Sequence, residues 1–395
     1  MTRDGGCALV LSGGAAYAAY EIGVMRALMT GASPATGYTR LTPDVITGTS
    51  AGSVNAALFA SAPADDALES IDYVENVWRT RIAERAGECM STVIRLRANL
   101  FGLFNPACFA ADSSFGATFV SDVAYLWGQW ARRSDAFFRS THSLRQRFIE
   151  AFDLATFISG EPLREVLSET LHPERIRHSP RCIRIAATNW RTGELRVFDN
   201  EDMDERHALL IVLASSAIPG VFGSVDIDGE PYVDGGVVMN TPLRPAIQAG
   251  ADQLHVIYMD PDVLRIPLPR VRNTMNTFYR MLVISFGLTV SRDIATASAI
   301  NRRVQRGEAA VDRSVLTGAP RPTDYRPLTI HRYQPSDDLG GTFRWLEFDG
   351  EHVHRLIQRG YDDACAHDCA VSRCVFPGDE HADTVERDRR LLDRG

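Results

Sequence analysis

Lysine is absent from this chain: all 42 of its basic residues are arginine. The absence excludes Schiff-base catalysis and a P-loop, because both need a lysine amine. We attribute it to the coding bias of a GC-rich genome. A long apolar run is also missing, since the longest late stretch, residues 281–290, is too short and too interrupted to span a bilayer.

The N-terminus lacks the charged start and the long apolar region of a secretory signal peptide. We therefore expect a cytoplasmic protein with neither a signal peptide nor a transmembrane helix. An excess of positive charge is missing too, because the formal net charge is −8. No global basic field favours nucleic acid or an anionic membrane, so we expect no nucleic-acid partner and only peripheral contact with a membrane.

Cysteine is scarce, with seven residues scattered over 395, and an odd number fits free thiols in a reducing compartment. Four residues near the end of the chain have ligand chemistry suited to zinc: Cys365, His367, Cys369 and Cys374. However, Cys365 and Cys369 are four residues apart in a predicted helix, and no second cysteine pair of zinc-site spacing exists. We therefore expect neither a metal nor another cofactor.

Alternation of strand and helix patterns predicts an α/β fold. The apolar residues 8–11 precede apolar residues at helical spacing in 20–28, and a second predicted strand ends at Ser50 before another helix. This order is typical of a parallel sheet with helices on its faces. Further strands are predicted at residues 183–187, 195–198 and 253–258.

The chain is long enough for one large or two medium domains, and we divide it into five parts. The parts are a first part of the catalytic core (1–64), a helical, aromatic-rich insert or cap (65–150), a second part of the core (151–260), a C-terminal helical and loop extension packed on the core (261–376), and a charged, mobile tail (377–395). The aromatic insert is a candidate wall for an apolar substrate. A plain helical layer of the core explains the same pattern equally well.

Ser50 lies in the pentapeptide Gly-Thr-Ser-Ala-Gly between a predicted strand and a predicted helix. At a sharp turn of this kind, Gly48 and Gly52 allow strand and helix to approach closely, and the serine hydroxyl projects at a helix N-terminus. Ser50 is therefore a candidate nucleophile. An ordinary turn between a strand and a helix is the alternative explanation.

Two other segments complete a possible hydrolytic site. Gly13, Gly14 and Ala15 follow the first strand, where their amides could bind an oxyanion at the start of a helix. A nucleotide site is the competing hypothesis, but neither Gly-x-Gly-x-x-Gly nor Gly-Lys-Ser/Thr is present.

Asp234 is the candidate general base. The following Gly235 and Gly236 leave its carboxylate uncrowded, and partial burial would raise its pKa toward the working pH. The alternative is a turn aspartate that caps its own loop.

In four segments, residues 11–24, 48–57, 214–222 and 234–242, the sequence resembles the patatin-like phospholipase family. The resemblance extends over about residues 8–260. It implies a three-layer α/β/α fold with a mainly parallel central sheet, here with a helical insert. It also implies a Ser50–Asp234 dyad that hydrolyses acyl esters of lipids without calcium, and it likens 214–222 to a substrate-side strand and loop.

The chain departs from the family pattern Gly-Gly-Gly-x-Arg/Lys-Gly at three positions of residues 13–18, the last of which is Ala18 in place of the final glycine. Ala15 replaces the third glycine, where a positive φ would be costly, and Tyr17 replaces the cation. The missing cation favours neutral lipids or simple esters over phospholipids as substrates.

Three functions therefore stay open. The first is a lipid acyl hydrolase of the phospholipase A, lysophospholipase or neutral lipase type. The second is an α/β-hydrolase-type esterase with a Ser-Asp-His triad completed by His331, His352 or His354, although these histidines lie among charged residues typical of a solvated surface. The third is a catalytically impaired relative that binds lipid.

Overall fold

A mixed sheet forms the centre of the fold in this computed structural model, which describes residues 6–83, 93, 95–97, 115–139, 158–259, 274–306, 326–340 and 344–378. The main sheet contains β1 (Gly6–Leu11), β2 (Val45–Thr49), β5 (Cys182–Asn189), β6 (Leu195–Phe198), β7 (Val225–Ile227), β8 (Glu230–Asp234), β9 (Ala251–Ile257) and β10 (Thr329–Tyr333), while β3 (Arg95–Leu96) and β4 (Ile158–Ser159) form a separate pair.

The helices of the described residues are α1 (Ala19–Thr30), α2 (Ala51–Ala60), α3 (Ala67–Val77), α4 (Phe115–Arg139), α5 (Glu161–Thr170), α6 (Pro173–Arg177), α7 (Ala208–Ser215), α8 (Gly236–Met239), α9 (Leu243–Gln248), α10 (Thr274–Gln305) and α11 (Gly350–Cys365). No helix within these ranges combines the length and the hydropathy needed to cross a membrane.

The sheet order is β10-β9-β1-β2-β5-β8-β7, with β6 also paired to β5. The five strands from β10 to β5 are parallel, and β5, β8 and β7 pair antiparallel, as do β5 and β6. Parallel neighbours end at the same edge of the sheet. The turns after β1 and β2, which carry Gly13 and Ser50, therefore lie side by side.

Side-chain alternation along β1 shows the three layers directly. Leu9 and Leu11 pack into a cluster with α1, α2, α3 and α11, whereas Ala8 and Val10 pack into a second cluster with α9 and α10. Successive side chains of a strand point to opposite faces, so β1 is covered on both sides. The predicted α/β/α architecture is confirmed.

Local signals begin and end the helices that flank the site. The Asp66 side chain accepts hydrogen bonds from the amides of Leu68 and Glu69 at the start of α3, and Asp349 accepts one from His352 at the start of α11. Gly31 ends α1 with φ of 73°, a conformation that glycine adopts without strain.

The predicted strands at 8–11, 183–187, 195–198 and 253–258 are confirmed within one or two residues. The expectation of a strand in 214–222 is wrong, because α7 continues to Ser215 and a turn follows. Residues 208–215 read Ala-Leu-Leu-Ile-Val-Leu-Ala-Ser, and a short, continuously apolar run of this kind can form a buried helix as well as a buried strand.

The start of the predicted insert packs in the core. Ile71 and Val74 of α3 are fully buried in the main cluster, and so is the nearby Trp78 ring. In the predicted C-terminal extension, β10 joins the main sheet. Most of the predicted tail, and Phe101, Phe104 and Phe109 of the predicted insert, lie outside the described residues.

Candidate active site

Ser50 occupies a strained turn between β2 and α2. Its backbone has φ of 55° and ψ of −129°, a region that residues with a side chain avoid. The side chain is almost fully buried, while the neighbouring Ala51 is half-buried. Strain of this kind at a strand-to-helix turn is typical of a nucleophile held at a helix N-terminus.

The two glycines of the pentapeptide make the turn sterically possible. A Cβ added to Gly48 would lie 2.4 Å from the carbonyl oxygen of Gly52, and one added to Gly52 would lie 2.6 Å from that of Leu11. These distances are far below van der Waals contact. A side chain at Gly48 would push the start of α2 away from β2, and one at Gly52 would push it away from the end of β1.

Asp234 ends β8 beside this turn, and its carboxylate accepts hydrogen bonds from the Ser50 hydroxyl and from the Gly236 amide, the latter at 2.7 Å. Gly235 lets the strand end approach β5, because an added Cβ would lie 2.3 Å from the carbonyl oxygen of Ala186. The sequence-predicted nucleophile and base are thus brought into direct contact.

Burial raises the pKa of the Asp234 carboxyl from 3.8 to about 7, and the hydrogen bonds from Ser50 and Gly236 lower it only in part. A carboxyl with this pKa is substantially ionised and still basic near neutral pH. It can therefore accept a proton at a working pH where an exposed aspartate is a poor base.

Two serines that sequence reasoning left without a role hold the Ser50 backbone. The Ser50 amide donates to Ser215 Oγ at 3.0 Å, and Ser215 Oγ donates in turn to the Ala186 carbonyl at 2.7 Å. Ser216 Oγ lies 3.2 Å from the Ser50 carbonyl oxygen and donates to it. Both serines belong to segment 214–222, so the family resemblance of that segment is the sequence feature that could have identified them.

The loop after β1 lies against the nucleophile. A Cβ added to Gly13 would lie 2.8 Å from Ser50 Cβ, and the Gly13 amide donates to the Asn240 carbonyl at 3.1 Å. The Asn240 side chain donates back to the Gly13 carbonyl at 3.2 Å. In contrast, the amides of Gly14 and Ala15 donate to no group in the described part of the chain, and both residues are half-buried.

A buried polar network supports this loop from below. Glu21 is fully buried and accepts hydrogen bonds from Asn55 Nδ2 at 2.7 Å and from the Ser12 backbone. Asn55 also accepts from Trp78 Nε1 at 2.8 Å. Burial raises the pKa of Glu21 well above its usual value, which favours the neutral acid. The network joins α1 and α2 at the level of the site.

Tyr17 points into the core instead of the site. Its side chain is 2% exposed, and its ring lies 6.1 Å from the His352 ring in an edge-on arrangement. The position that carries a cation in the resembling family is thus an apolar packing position here.

The three histidines considered for a triad contact residues other than Ser50 and Asp234. His352 packs against Tyr17, His354 lies 2.5 Å from an Arg79 guanidinium nitrogen, and His331 stacks on His255. The expectation that all three lie on a solvated surface is wrong, because His331 and His352 are buried. The residues that group as potential metal ligands within the described ranges also lie away from Ser50, around His331.

Ala15 has φ of 49°, a positive value that is costly for a residue with a side chain. An alanine there is strained by about 1–2 kcal/mol, and glycine loses about 0.5–1 kcal/mol more chain entropy on folding. We expect Ala15→Gly to leave the protein unchanged or up to about 1.5 kcal/mol more stable in chemical denaturation.

Ala18 provides the matched control, because it lies in the same turn with φ of −63°. Ala18→Gly should lose at least about 0.5–1 kcal/mol, since no strain is relieved and a fully buried methyl group is removed. Equal losses in both variants would show that the Ala15 backbone is not strained.

Comparison with known proteins gives one family. A family model described as patatin-like phospholipase matches residues 9–247, more than half of the chain. The chain is also similar to the crystal structure of VipD from Legionella pneumophila, with a TM-score of 0.36, 16% sequence identity, and coverage of 92% of this chain and 67% of that one. Among curated proteins, none matches this sequence.

Proposed function

Because this chain belongs to the patatin-like phospholipase family, we propose that it is a lipid acyl hydrolase with Ser50 as nucleophile and Asp234 as general base. The observation that carries the proposal is the hydrogen bond from the Ser50 hydroxyl to a buried Asp234 carboxylate whose pKa is about 7. The family supports lipid acyl hydrolysis in general, and the contact between these two side chains supports the specific dyad.

The mechanism follows from the geometry of the pair. The Asp234 carboxylate takes the proton of Ser50 Oγ while the oxygen attacks the acyl carbonyl. The tetrahedral intermediate then expels the alcohol, which leaves with the proton held by Asp234. In the second half, Asp234 takes a proton from water as the water attacks the acyl-serine, and Ser50 recovers its proton when the fatty acid leaves.

We assign the oxyanion donors to the amides of Gly14 and Ala15. They are half-buried at the N-terminus of the following helical turn, and no described group accepts from them. Gly13 belongs to the same loop, but its amide donates to the Asn240 carbonyl and is not free for an oxyanion. Its contribution is that it has no side chain, which leaves room beside Ser50. One donor of this kind is worth about 10²-fold or more in rate.

We propose a neutral ester lipid as substrate. The three segments that meet at Ser50, residues 12–18, 48–53 and 234–242, contain no basic residue that could bind a phosphate. Directly after the acid, Val237 and Val238 are 54% and 40% exposed. Such apolar surface suits an acyl chain, which gains about 0.8 kcal/mol for each buried CH₂.

The helical insert is proposed as the route to a lipid surface. Trp127 and Trp130 of α4 are strongly exposed, with ring centroids 5.1 Å apart. Tryptophan is favoured where apolar and aqueous phases meet.

The first boundary of the insert differs from the sequence expectation. Since α3 packs in the core, we propose that the insert begins after Ala83 and that the rest of the five-part division holds as stated.

The test combines a fluorophosphonate probe with a mixed lipid extract at pH 8. We expect peptide mapping to locate the label on Ser50, and mass spectrometry to find fatty acid with diacylglycerol or monoacylglycerol. Fatty acid with lysophospholipid would keep the dyad and overturn the neutral-lipid assignment. Folded protein that neither takes the label nor releases fatty acid would be a catalytically impaired lipid binder, contrary to the proposal.

A further inference from the structure

Four potential metal ligands meet at the outer edge of the sheet, away from the candidate active site. His331 lies in the edge strand β10, whereas His367, Cys369 and Cys374 follow α11. The ligand atoms of the four residues all lie within 4.8 Å of one another. The two histidines are buried and the two cysteines are half-buried, so the group is enclosed but not sealed from solvent.

Three of the separations between these atoms are close to those of a tetrahedral zinc site. Cys369 Sγ lies 3.5 Å from His331 Nδ1 and 3.4 Å from His367 Nε2, and Cys374 Sγ lies 3.4 Å from the same Nε2. Bonds of about 2.3 Å to sulfur and 2.0–2.1 Å to nitrogen at tetrahedral angles place sulfur and nitrogen about 3.6 Å apart. A zinc ion therefore fits among the four atoms once the pairs that lie as far as 4.8 Å apart close by about 1 Å.

We propose that His331, His367, Cys369 and Cys374 form a structural zinc site. Two thiolates and two imidazoles are a ligand set that favours zinc, and four protein ligands leave no position for a substrate or a reactive water. On binding, each thiol releases its proton to solvent and the four ligands replace the ion's water. No oxidation or reduction occurs.

The surroundings of the cluster hold its ligands in place. The Arg332 amide donates to Cys374 Sγ at 3.4 Å, a contact that stabilises a thiolate. Ser372 Oγ lies 3.4 Å from His367 Nδ1, the ring nitrogen that faces away from the group. Such partners orient metal ligands, and their loss typically weakens metal affinity about 10- to 100-fold.

The zinc would fasten the end of the described chain to the sheet. Ile330 of β10 and Val375 exchange both of their backbone hydrogen bonds, at 2.8 and 2.9 Å, so the segment after α11 already lies along the open edge of β10. A metal bond between His331 and this segment covers a strand edge that otherwise invites pairing with another chain.

The spacing of the cysteines along the chain did not predict a zinc site, because it grouped Cys369 with Cys365 on one predicted helix. Cys365 is on α11 and is not one of the four, while His331 enters from 38 residues before Cys369. The sheet topology, and not the spacing along the chain, brings the ligands together.

The test measures metal in full-length protein purified without chelator from a zinc-containing medium. We expect about one zinc per chain in the wild type and in Cys365→Ser, and less than about a tenth of that in Cys369→Ser and Cys374→Ser. Cys365→Ser is the matched control, because it removes a half-buried cysteine outside the group. Titrating the chelator-treated wild type with Co²⁺ should give the absorption bands of a tetrahedral, thiolate-ligated ion, and this readout needs no variant.

Three results would overturn the proposal. Folded wild type could hold no zinc and bind no Co²⁺, or Cys365→Ser could lose as much metal as Cys369→Ser. Peptide mapping of the freshly purified protein could instead find a disulfide between Cys369 and Cys374. The bound metal is measured independently of ester hydrolysis, so failure here leaves the proposed activity untouched.

Discussion

Ser50→Ala is expected to lower the rate of ester hydrolysis by about 10⁴-fold or more, to a residual rate set by the oxyanion donors and substrate binding alone. The reason is that no acyl-serine can form, while Asp234 stays in place beside an alanine. Titration of released fatty acid with a soluble short-chain ester measures the loss. At pH 4, where Asp234 is neutral, the unfolding midpoint should stay close to that of the wild type, because alanine keeps the same backbone strain.

Ser70→Ala is the matched control for this variant. Ser70 is a fully buried serine on α3, and its hydroxyl donates to the Asp66 carbonyl outside the site. Its removal should leave the hydrolytic rate within about twofold of wild type, since it touches no reacting group. If Ser50→Ala kept more than about a hundredth of the activity, another nucleophile would be at work.

The sequence was sufficient for those parts of the site that depend on local backbone geometry. A serine between glycines at the end of a predicted strand is typical of a sharp turn into a helix, so the five residues indicate the turn at Ser50, although an ordinary turn has the same pattern. Asp234 is a candidate base for the same reason, because two glycines follow it at a strand end, and its catalytic role stays a prediction. Ala15 was correctly flagged, since its backbone must follow the angles that the loop requires.

Contacts between distant segments were beyond the sequence. The bond from the Ser50 amide to Ser215 joins residues 165 positions apart, and the bond from Asn240 to Gly13 joins residues 227 positions apart. Neither segment contains a sequence pattern that predicts which distant residue it contacts. The packing of α7 and β8 against β5 decides these contacts, and it is settled only when the whole sheet forms.

The histidines show a different limit. His352 and His354 are two residues apart on α11, where a helix turns by about 200° between them. One is therefore buried against Tyr17 while the other is exposed beside Arg79. Charged neighbours in the sequence suggested a solvated surface for both, because linear proximity does not distinguish the two faces of an amphipathic helix.

Asp234→Asn is expected to change activity and stability in opposite directions. The hydrolytic rate should fall about 10³- to 10⁴-fold, because asparagine can still accept the hydrogen bonds of Ser50 and Gly236 but is not a base. In the wild type, kcat/KM should be half-maximal near pH 7 and fall about tenfold for each pH unit below, as Asp234 becomes protonated. The variant's residual rate should lack this dependence.

Stability follows from the same pKa with the opposite sign. The carboxyl titrates at 3.8 when unfolded and at about 7 when folded, so between these values the folded state binds more protons. The contribution of this carboxyl to the free energy of unfolding is therefore fully present below about pH 4 and is lost as the pH rises to 7. The loss is about 4 kcal/mol, at 1.36 kcal/mol per pH unit over the difference between the two pKa values. A neutral asparagine avoids that cost, so at pH 8 the variant should need more denaturant to unfold than the wild type.

Denaturation at pH 8 and at pH 4 separates a general base from an aspartate that caps its loop. At pH 4 both proteins carry a neutral side chain at residue 234, so their stabilities should converge. If Asp234 were a loop cap, its ionised form would be the stabilising one, and replacing it would lose about 1 kcal/mol at pH 8 instead of gaining stability. A rate loss joined to a gain in stability at pH 8 identifies a buried carboxylate kept ionised for catalysis at the expense of the fold.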